Sequence, residues 1–400
     1  MGCYYHCPMR QTAYERTKRL IGPGIAAARG RLEAHKGPLL NALVDLFTTS
    51  LEQKTLKSDD VIAVLPYAIS QMAAERLEDP FDWNVFATTD EVRALTDFDL
   101  RLGSMLYEDR LNNSWVGSSI INLWQYQCHA RAGERVYELT EGLGERLLHT
   151  ELHGLNTEDL RLPYRNIYIV VPPELGLTLE NEQTGTHQLE GVYITEYERG
   201  GLRTWKLLFW GPANGRSQHE WDDTIFHFSV DLPEGQSLND ALDKNEALRT
   251  SESFRGTPGA AKFYKQSWRQ LFTLVMNTVV YCTWPDAEVL AVQNPEFVKL
   301  HERMRKHPKG SGKYERTRAK LRETLEQRRI LLGASSKRLG KAETSGEGSS
   351  LTVRTLVSGH WKRQVHGEGR SLRKWIFIEP FWRGPESAQE SNPRRVLEVS

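Results

Sequence analysis

From about residue 10 to residue 160, apolar side chains recur every three or four positions, the spacing of amphipathic helices. Leu39-Leu40, Leu43-Val44 and Phe47 form one such face, and Val61-Ile62, Leu65, Ile69 and Met72 form a second. Ser58 followed by Asp59-Asp60 is a fitting N-cap with acids in the first turn. Leu95, Phe98, Leu102 and Leu106 make a third stripe, and Val136, Leu139, Leu143 and Leu147 a fourth. Faces of this kind predict core, not chemistry.

The period then shortens to two. Ile167-Tyr168-Ile169-Val170-Val171, bounded by prolines at 163, 172 and 173, predicts a strand. Three more β-rich runs follow over 189–197, 202–210 and 224–230, with Gly200-Gly201 placed as a hairpin turn between the first two. The alternation in Phe226-His227-Phe228-Ser229-Val230 predicts a sheet with one packed face. Short strands joined by short turns predict an antiparallel meander and not a βαβ sheet. Helical character returns at Ser237-Leu238-Asn239-Asp240, a start resembling a capping box. A long helix over 263–284, stopped by Pro285, is predicted to cover the sheet.

The expected fold class is therefore α+β: an N-terminal helical region (1–160), a central antiparallel sheet with covering helices (161–295), and a C-terminal β-hairpin (353–385). A basic helical segment (296–332), interrupted by His307-Pro308-Lys309-Gly310-Ser311-Gly312, precedes a Gly-, Ser- and Lys-rich flexible linker (333–352). In the hairpin, 353–364 is expected as one strand and 374–381 as the other, joined by the turn 367–371, with Pro380 at a strand end or edge.

Composition narrows the class. With 39% hydrophobic and 26% charged residues the chain reads as a soluble globular protein. The longest apolar stretch, 271–284, is shorter than the ~20 residues of a membrane helix. No membrane association and no signal peptide are expected. Cys3, His6 and Cys7 lack a second Cys/His pair at zinc spacing, so neither a metal site nor a cofactor is expected, and reduced cysteines fit a cytoplasmic setting. The formal net charge of zero hides a split. Residues 299–383 hold 22 Lys and Arg against 8 Asp and Glu, whereas residues 1–298 hold 28 against 41. A basic end on an acidic body fits a polyanionic or acidic partner for that end, or neutralisation of one half by the other.

Most catalytic signatures are missing. Lys309-Gly310-Ser311-Gly312-Lys313 resembles a phosphate loop in outline, but Tyr314 stands where Ser or Thr would bind magnesium and no strand is predicted before it. Neither G-x-S-x-G nor H-E-x-x-H occurs. Arg316, Arg318, Lys320 and Arg322 form a secondary basic patch able to track a phosphate backbone, partly neutralised by Glu315, Glu323 and Glu326.

The C-terminal segment is the main candidate site. Trp361, Trp375 and Trp382 offer flat faces, and Lys362, Arg363, Arg370, Arg373 and Lys374 supply charge. Such a set can stack unpaired bases and hold their phosphates, or form a protein-binding hot spot. The same tryptophans can equally dock the hairpin on the sheet. His360 and His366 are the candidates for an acid–base pair in metal-independent RNA cleavage, the alternative to pure recognition.

Gly359-His360-Trp361, five residues, Gly367-x-Gly369, ten residues, then Pro380 resembles the C-terminal motif of the type V-A anti-CRISPR family that acts on the effector nuclease's messenger RNA. Leu162-Pro163 leading into Tyr168-Ile169-Val170, and Tyr281-Cys282-Thr283-Trp284-Pro285-Asp286, resemble two further islands of that family, so the likeness spans roughly 160–385. The resemblance implies a protein of a phage or plasmid acting in the bacterial cytoplasm. It further implies recognition of a CRISPR effector's nascent N-terminal polypeptide, with its translating mRNA or ribosome, and loss of that message. Gly359, His360, Trp361, Gly367, Gly369, Arg370, Arg373, Trp375 and Trp382 are then the expected partner- or RNA-binding residues.

Overall fold

The computed structural model of the chain describes residues 70, 74, 124–133, 135–181, 185–212, 224–250, 268–292, 295–323, 328–339, 353–383 and 389–391. The helical faces expected at 39–47 and 95–106, most of that at 58–72, and Cys3, His6 and Cys7 lie outside these residues.

The architecture is α+β. Seven strands form the central sheet: β1 (Arg135–Leu139), β3 (Asn166–Val170), β6 (Gly191–Arg199), β7 (Leu202–Gly211), β8 (Thr224–Asp231), β9 (Val289–Val292) and β10 (Arg328–Leu332), in the order β8-β7-β6-β3-β1-β10-β9. The run β3-β6-β7-β8 is the expected antiparallel meander. Gly200 and Gly201, with φ of 58° and 79°, turn its central hairpin in a conformation that strands with a right-handed twist favour. A short hairpin of β4 (Thr178–Asn181) and β5 (Gly185–Gln188) lies beside it.

The other half of the sheet corrects the all-antiparallel expectation. β1 runs parallel to both β3 and β10, and helix α1 (Glu141–Leu148) lies between β1 and β3 in the chain, so the sheet is mixed and contains a βαβ crossover. The stripe Val136, Leu139, Leu143, Leu147 is not one helix. Its first two members belong to β1, and Thr140 then caps α1 by accepting from Leu143 N–H. The basic helical stretch likewise ends earlier than expected, because Arg328–Leu332 is a strand. Its Arg329 guanidinium reaches Glu138 of β1 at 3.2 Å.

Helix α2 (Leu238–Thr250) begins as the capping pattern predicts, with Ser237 Oγ accepting from Asp240 N–H at 3.1 Å. Helix α3 (Trp268–Thr283) is the covering helix, and eleven of its residues are buried. Trp268 packs edge-on against Phe228 of the sheet at 4.5 Å. Near the helix's other end Tyr281 faces Phe377 of the C-terminal segment. A helix packed against the sheet near one end and the C-terminal segment near the other needs a broad apolar surface, which the mostly apolar run Leu271–Tyr281 supplies.

Of the expected linker, 333–339 packs on α1, and 340–352 lies outside the described residues. Leu339 N–H donates to Glu145 at 2.9 Å and Arg146 Nε to Lys337 O at 3.2 Å. A Cβ on Gly142 would collide with the Ser336 carbonyl, so only glycine lets this strap lie so close.

A buried polar cluster joins the helical segment 124–131 to the sheet. Asn166 Nδ2 donates to Gln125 Oε1 (3.2 Å) and Thr195 Oγ1 (2.5 Å), and its Oδ1 lies 2.8 Å from His129 Nδ1. Since that oxygen can only accept, the network assigns the imidazole proton to Nδ1. Burial lowers the His129 pKa to about 4, against a partial upward pull from the Asn166 bond. The folded protein thus holds a neutral imidazole that the unfolded chain protonates below ~6.5. Stability is complete above that value and is expected to fall by roughly 3 kcal/mol as pH drops towards about 4. Urea unfolding across this range checks it: His129→Gln should flatten the slope.

Candidate functional site

The C-terminal segment folds as β11 (Val353–Val357), β12 (Gly359–His366), β13 (Leu372–Ile378) and β14 (Phe381–Arg383). The expected hairpin is present, from β12 to β13 through the turn at 367–371. The expected single strand 353–364, however, is broken at Ser358, and its two parts belong to different sheets. β11 pairs with β14 and with β15 (Gln389–Ser391), while β12 is flanked by β13 and β2 (Thr150–Glu151).

The base of the hairpin is anchored deeply. Gly359 is buried, its N–H donates to His149 O at 3.0 Å, and an added Cβ would meet Pro380 Cδ at 2.7 Å and Ile378 O at 2.8 Å. Trp361 is 3% exposed. Its ring stacks on Phe377 at 4.8 Å, meets Trp284 edge-on, and its Nε1 donates to Asn277 Oδ1 at 2.9 Å. Asn277, in the middle of α3, also donates to Leu147 O and Thr150 O at 3.0 and 2.7 Å. One amide thus binds the hairpin, α1 and β2 together. Arg146 of α1 makes an ion pair with Glu379 just beyond β13.

The other two tryptophans each have one ring face occupied by a cation. The Arg363 guanidinium lies 4.8 Å from the Trp375 centroid and also reaches Asp159 at 2.6 Å. The Trp375 carbonyl accepts from the Trp284 indole at 3.0 Å. Arg354, 1% exposed, sits 4.8 Å from the Trp382 centroid. The flat faces expected for base stacking are therefore fully closed at Trp361 and half closed at Trp375 and Trp382.

The far end of the hairpin is the opposite: every residue from His366 to Lys374 is exposed. Gly367 (φ 78°), Gly369 (φ 63°) and Arg370 (φ 57°) turn the chain through left-handed conformations, closed by Arg370 N–H to Gly367 O at 3.1 Å. The tip carries His366, Arg370, Arg373 and Lys374 against a single acid, Glu368. Alternation puts His360, Lys362, Gln364 and His366 on the outer face of β12, opposite Ile378, Ile376, Lys374 and Leu372 of β13. The outer face is thus a polar row, with Lys362 its formal cation, beside an aliphatic row that Lys374 interrupts. β13 is also an edge strand.

Expected site residues therefore separate into two groups. Gly359, Trp361, Gly367 and Gly369 build the hairpin, while His360, His366, Arg370 and Arg373 are presented by it. His360 and His366 share a face but lie six residues apart, about 20 Å along a strand. No single phosphodiester spans that separation, so the structure does not assemble them as an acid–base pair. Asn277 and Trp284 were not among the expected site residues, and Arg363, expected to supply charge to a partner, instead covers Trp375 and reaches Asp159. The apolar run around Asn277 gave a signal, since a lone amide there needs buried partners. Of the secondary patch, Arg316, Arg318 and Lys320 are exposed on a helix at 312–323, Arg318 pairing with Glu315 at 3.4 Å. Arg322 lies on the same helix, its side chain outside the described residues. Among the described residues no helix is long and apolar enough to cross a membrane.

The family model AcrVA2-like, "Anti-CRISPR type V subtype A2 family", matches residues 137–384, from within β1 to just past β14. No curated protein matches. Among solved structures, the crystal structure of AcrVA2 is similar at a TM-score of 0.44 and 13% identity, over 86% of this chain and 97% of that one.

Proposed function

The chain belongs to the AcrVA2-like family of type V subtype A2 anti-CRISPR proteins, and from that premise we propose that it lowers production of a type V effector nuclease by recognising the effector's nascent N-terminal polypeptide and promoting loss of its mRNA. It acts in this reading in the bacterial cytoplasm, as the product of a phage or plasmid, on a polypeptide still attached to its ribosome.

The observation that carries the reading is a hairpin with a buried base and a projecting tip, exposed from His366 to Lys374. A nascent chain is extended and has unsatisfied main-chain groups. Away from the Trp375 carbonyl, which Trp284 holds, the edge of β13 supports strand addition, in which main-chain hydrogen bonds supply affinity and alternate side chains supply selectivity. Leu372, Ile376 and Ile378 give the aliphatic contacts, and Lys362 and Lys374 give charge. Trp361 and Phe377 hold the platform still, so little ordering cost falls on binding.

In cells producing both proteins, Arg370→Glu, Arg373→Glu and Lys374→Glu together should restore effector protein and message by about tenfold or more, the effect of ~1.4 kcal/mol of lost binding. The tip is exposed, so stability should hold. Recovery of the protein from such cells, with sequencing of bound RNAs, should enrich the effector message. Random messages and no enriched nascent peptide would sink the proposal.

A further inference from the structure

β9 and β10 are antiparallel neighbours, a pairing that a two-residue turn can close. The chain instead runs from 293 to 327 between them, forming helices α4 (Pro295–Arg305) and α5 (Gly312–Glu323). The two helices, joined by a short loop, pack against each other. Thr317 is buried, and Leu300, Met304, Tyr314 and Leu321 are half-buried, as a shared seam requires. Most other described side chains from 299 to 320 are exposed. The pair is an arm, not a core element.

Its charge is one-sided. Residues 295–323 hold ten Lys and Arg against four Asp and Glu. Lys299, Arg303 and Lys306 follow one another at i, i+4 and i+7, and Lys313, Arg316 and Lys320 at i, i+3 and i+7, so each helix presents a cationic stripe about 10 Å long. Lys309 stands in the loop between them, beside Gly310 at φ 83°. Concentrating like charge on a small helical pair works against its own compactness. Neither sheet closure nor the seam needs it.

We propose that this arm is a second, separate binding surface, which holds the phosphate backbone of structured RNA without reading its sequence. The choice of RNA over other polyanions rests on the proposed action at a translating message. The arm's own chemistry suits regularly spaced phosphates, because exposed cations recurring along two helices can track a backbone, and the deep, narrow major groove of an RNA duplex keeps such side chains from the base edges. The hairpin tip then selects the polypeptide while the arm holds the RNA beside it.

The test uses the purified full-length chain and an RNA duplex of about 20 base pairs, titrated at about 50 and 200 mM salt. The Arg303→Gln, Lys306→Gln, Lys313→Gln, Arg316→Gln variant should bind about 100-fold more weakly at the lower salt. The slope of log affinity against log salt should become shallower by about three to four, close to one for each phosphate no longer neutralised. A variant with Lys306→Arg and Lys313→Arg should retain binding, and a duplex of scrambled sequence should bind as well as the first. Unchanged affinity or salt slope in the glutamine variant would overturn the proposal. So would tighter binding to duplex DNA, or equal binding to poly-glutamate, which would make the arm a surface for acidic protein. The hairpin-tip variant separates this surface from the other: it should bind the duplex normally even where it no longer restrains the effector.

Discussion

Trp361→Ala should destabilise the protein by about 4 kcal/mol, within the range for removing a buried Trp or Phe. The indole is 3% exposed, stacked on Phe377 and edge-packed by Trp284, so its removal opens a cavity between α3 and the hairpin. It also strips the hydrogen-bond donor from Asn277 Oδ1, leaving a buried acceptor to find water or go unmet. Urea unfolding with the wild type in parallel measures the loss. A base-stacking or hot-spot residue on the surface would give a change of about 0.5 kcal/mol or less. That outcome would return Trp361 to the recognition surface. Trp361→Phe should recover most of the packing and none of the bond.

Asn277→Ala is the second large effect, expected at about 4 kcal/mol for three buried hydrogen bonds and a small void. The amide is fully buried and has three partners from three elements: Trp361 of β12, Leu147 of α1 and Thr150 of β2. No apolar replacement satisfies the two carbonyls. Because Trp361 and Asn277 share a bond, their losses should not add. The Asn277→Ala, Trp361→Phe pair should fall short of the sum of its single changes by about 1 kcal/mol, a coupling that a double-mutant cycle reads directly. Hydrogen exchange in β12 and β13 should rise in Asn277→Ala before exchange in the central sheet does, since the hairpin's anchor is lost first.

Much of this molecule is legible from local patterning. The β-rich runs of β6 and β7, the alternation in β8, the Gly200-Gly201 turn and the Pro285 stop of α3 each follow from composition, from spacing and from what glycine and proline allow. β1 and β10 were not legible in that way. Val136 and Leu139 fall at helical spacing with Leu143 and Leu147, and a short strand buried on both faces has no alternation to distinguish it from a buried helix. The overlooked signal was Thr140-Glu141, an N-cap that begins the helix only after Leu139. Arg328-Arg329-Ile330-Leu331-Leu332 extends a basic helical run, and only its pairing with β1 makes it a strand.

At the candidate site the division is sharper. That a hairpin forms, where it turns, and that its tip is cationic can all be read locally, because Gly367, Gly369 and the spacing of the aromatics act within a few residues. Which aromatics are available to a partner depends on packing against distant elements. β12 reads His-Trp-Lys-Arg-Gln-Val-His, with polar groups on both faces, so its alternation names no inner side. A shift of one residue would exchange the two faces. Asn277, more than eighty residues away on α3, resolves the choice by accepting the Trp361 indole, and the arginines that cover Trp375 and Trp382 complete it. Spacing along the chain set the shape of the site; burial against distant elements set its chemistry.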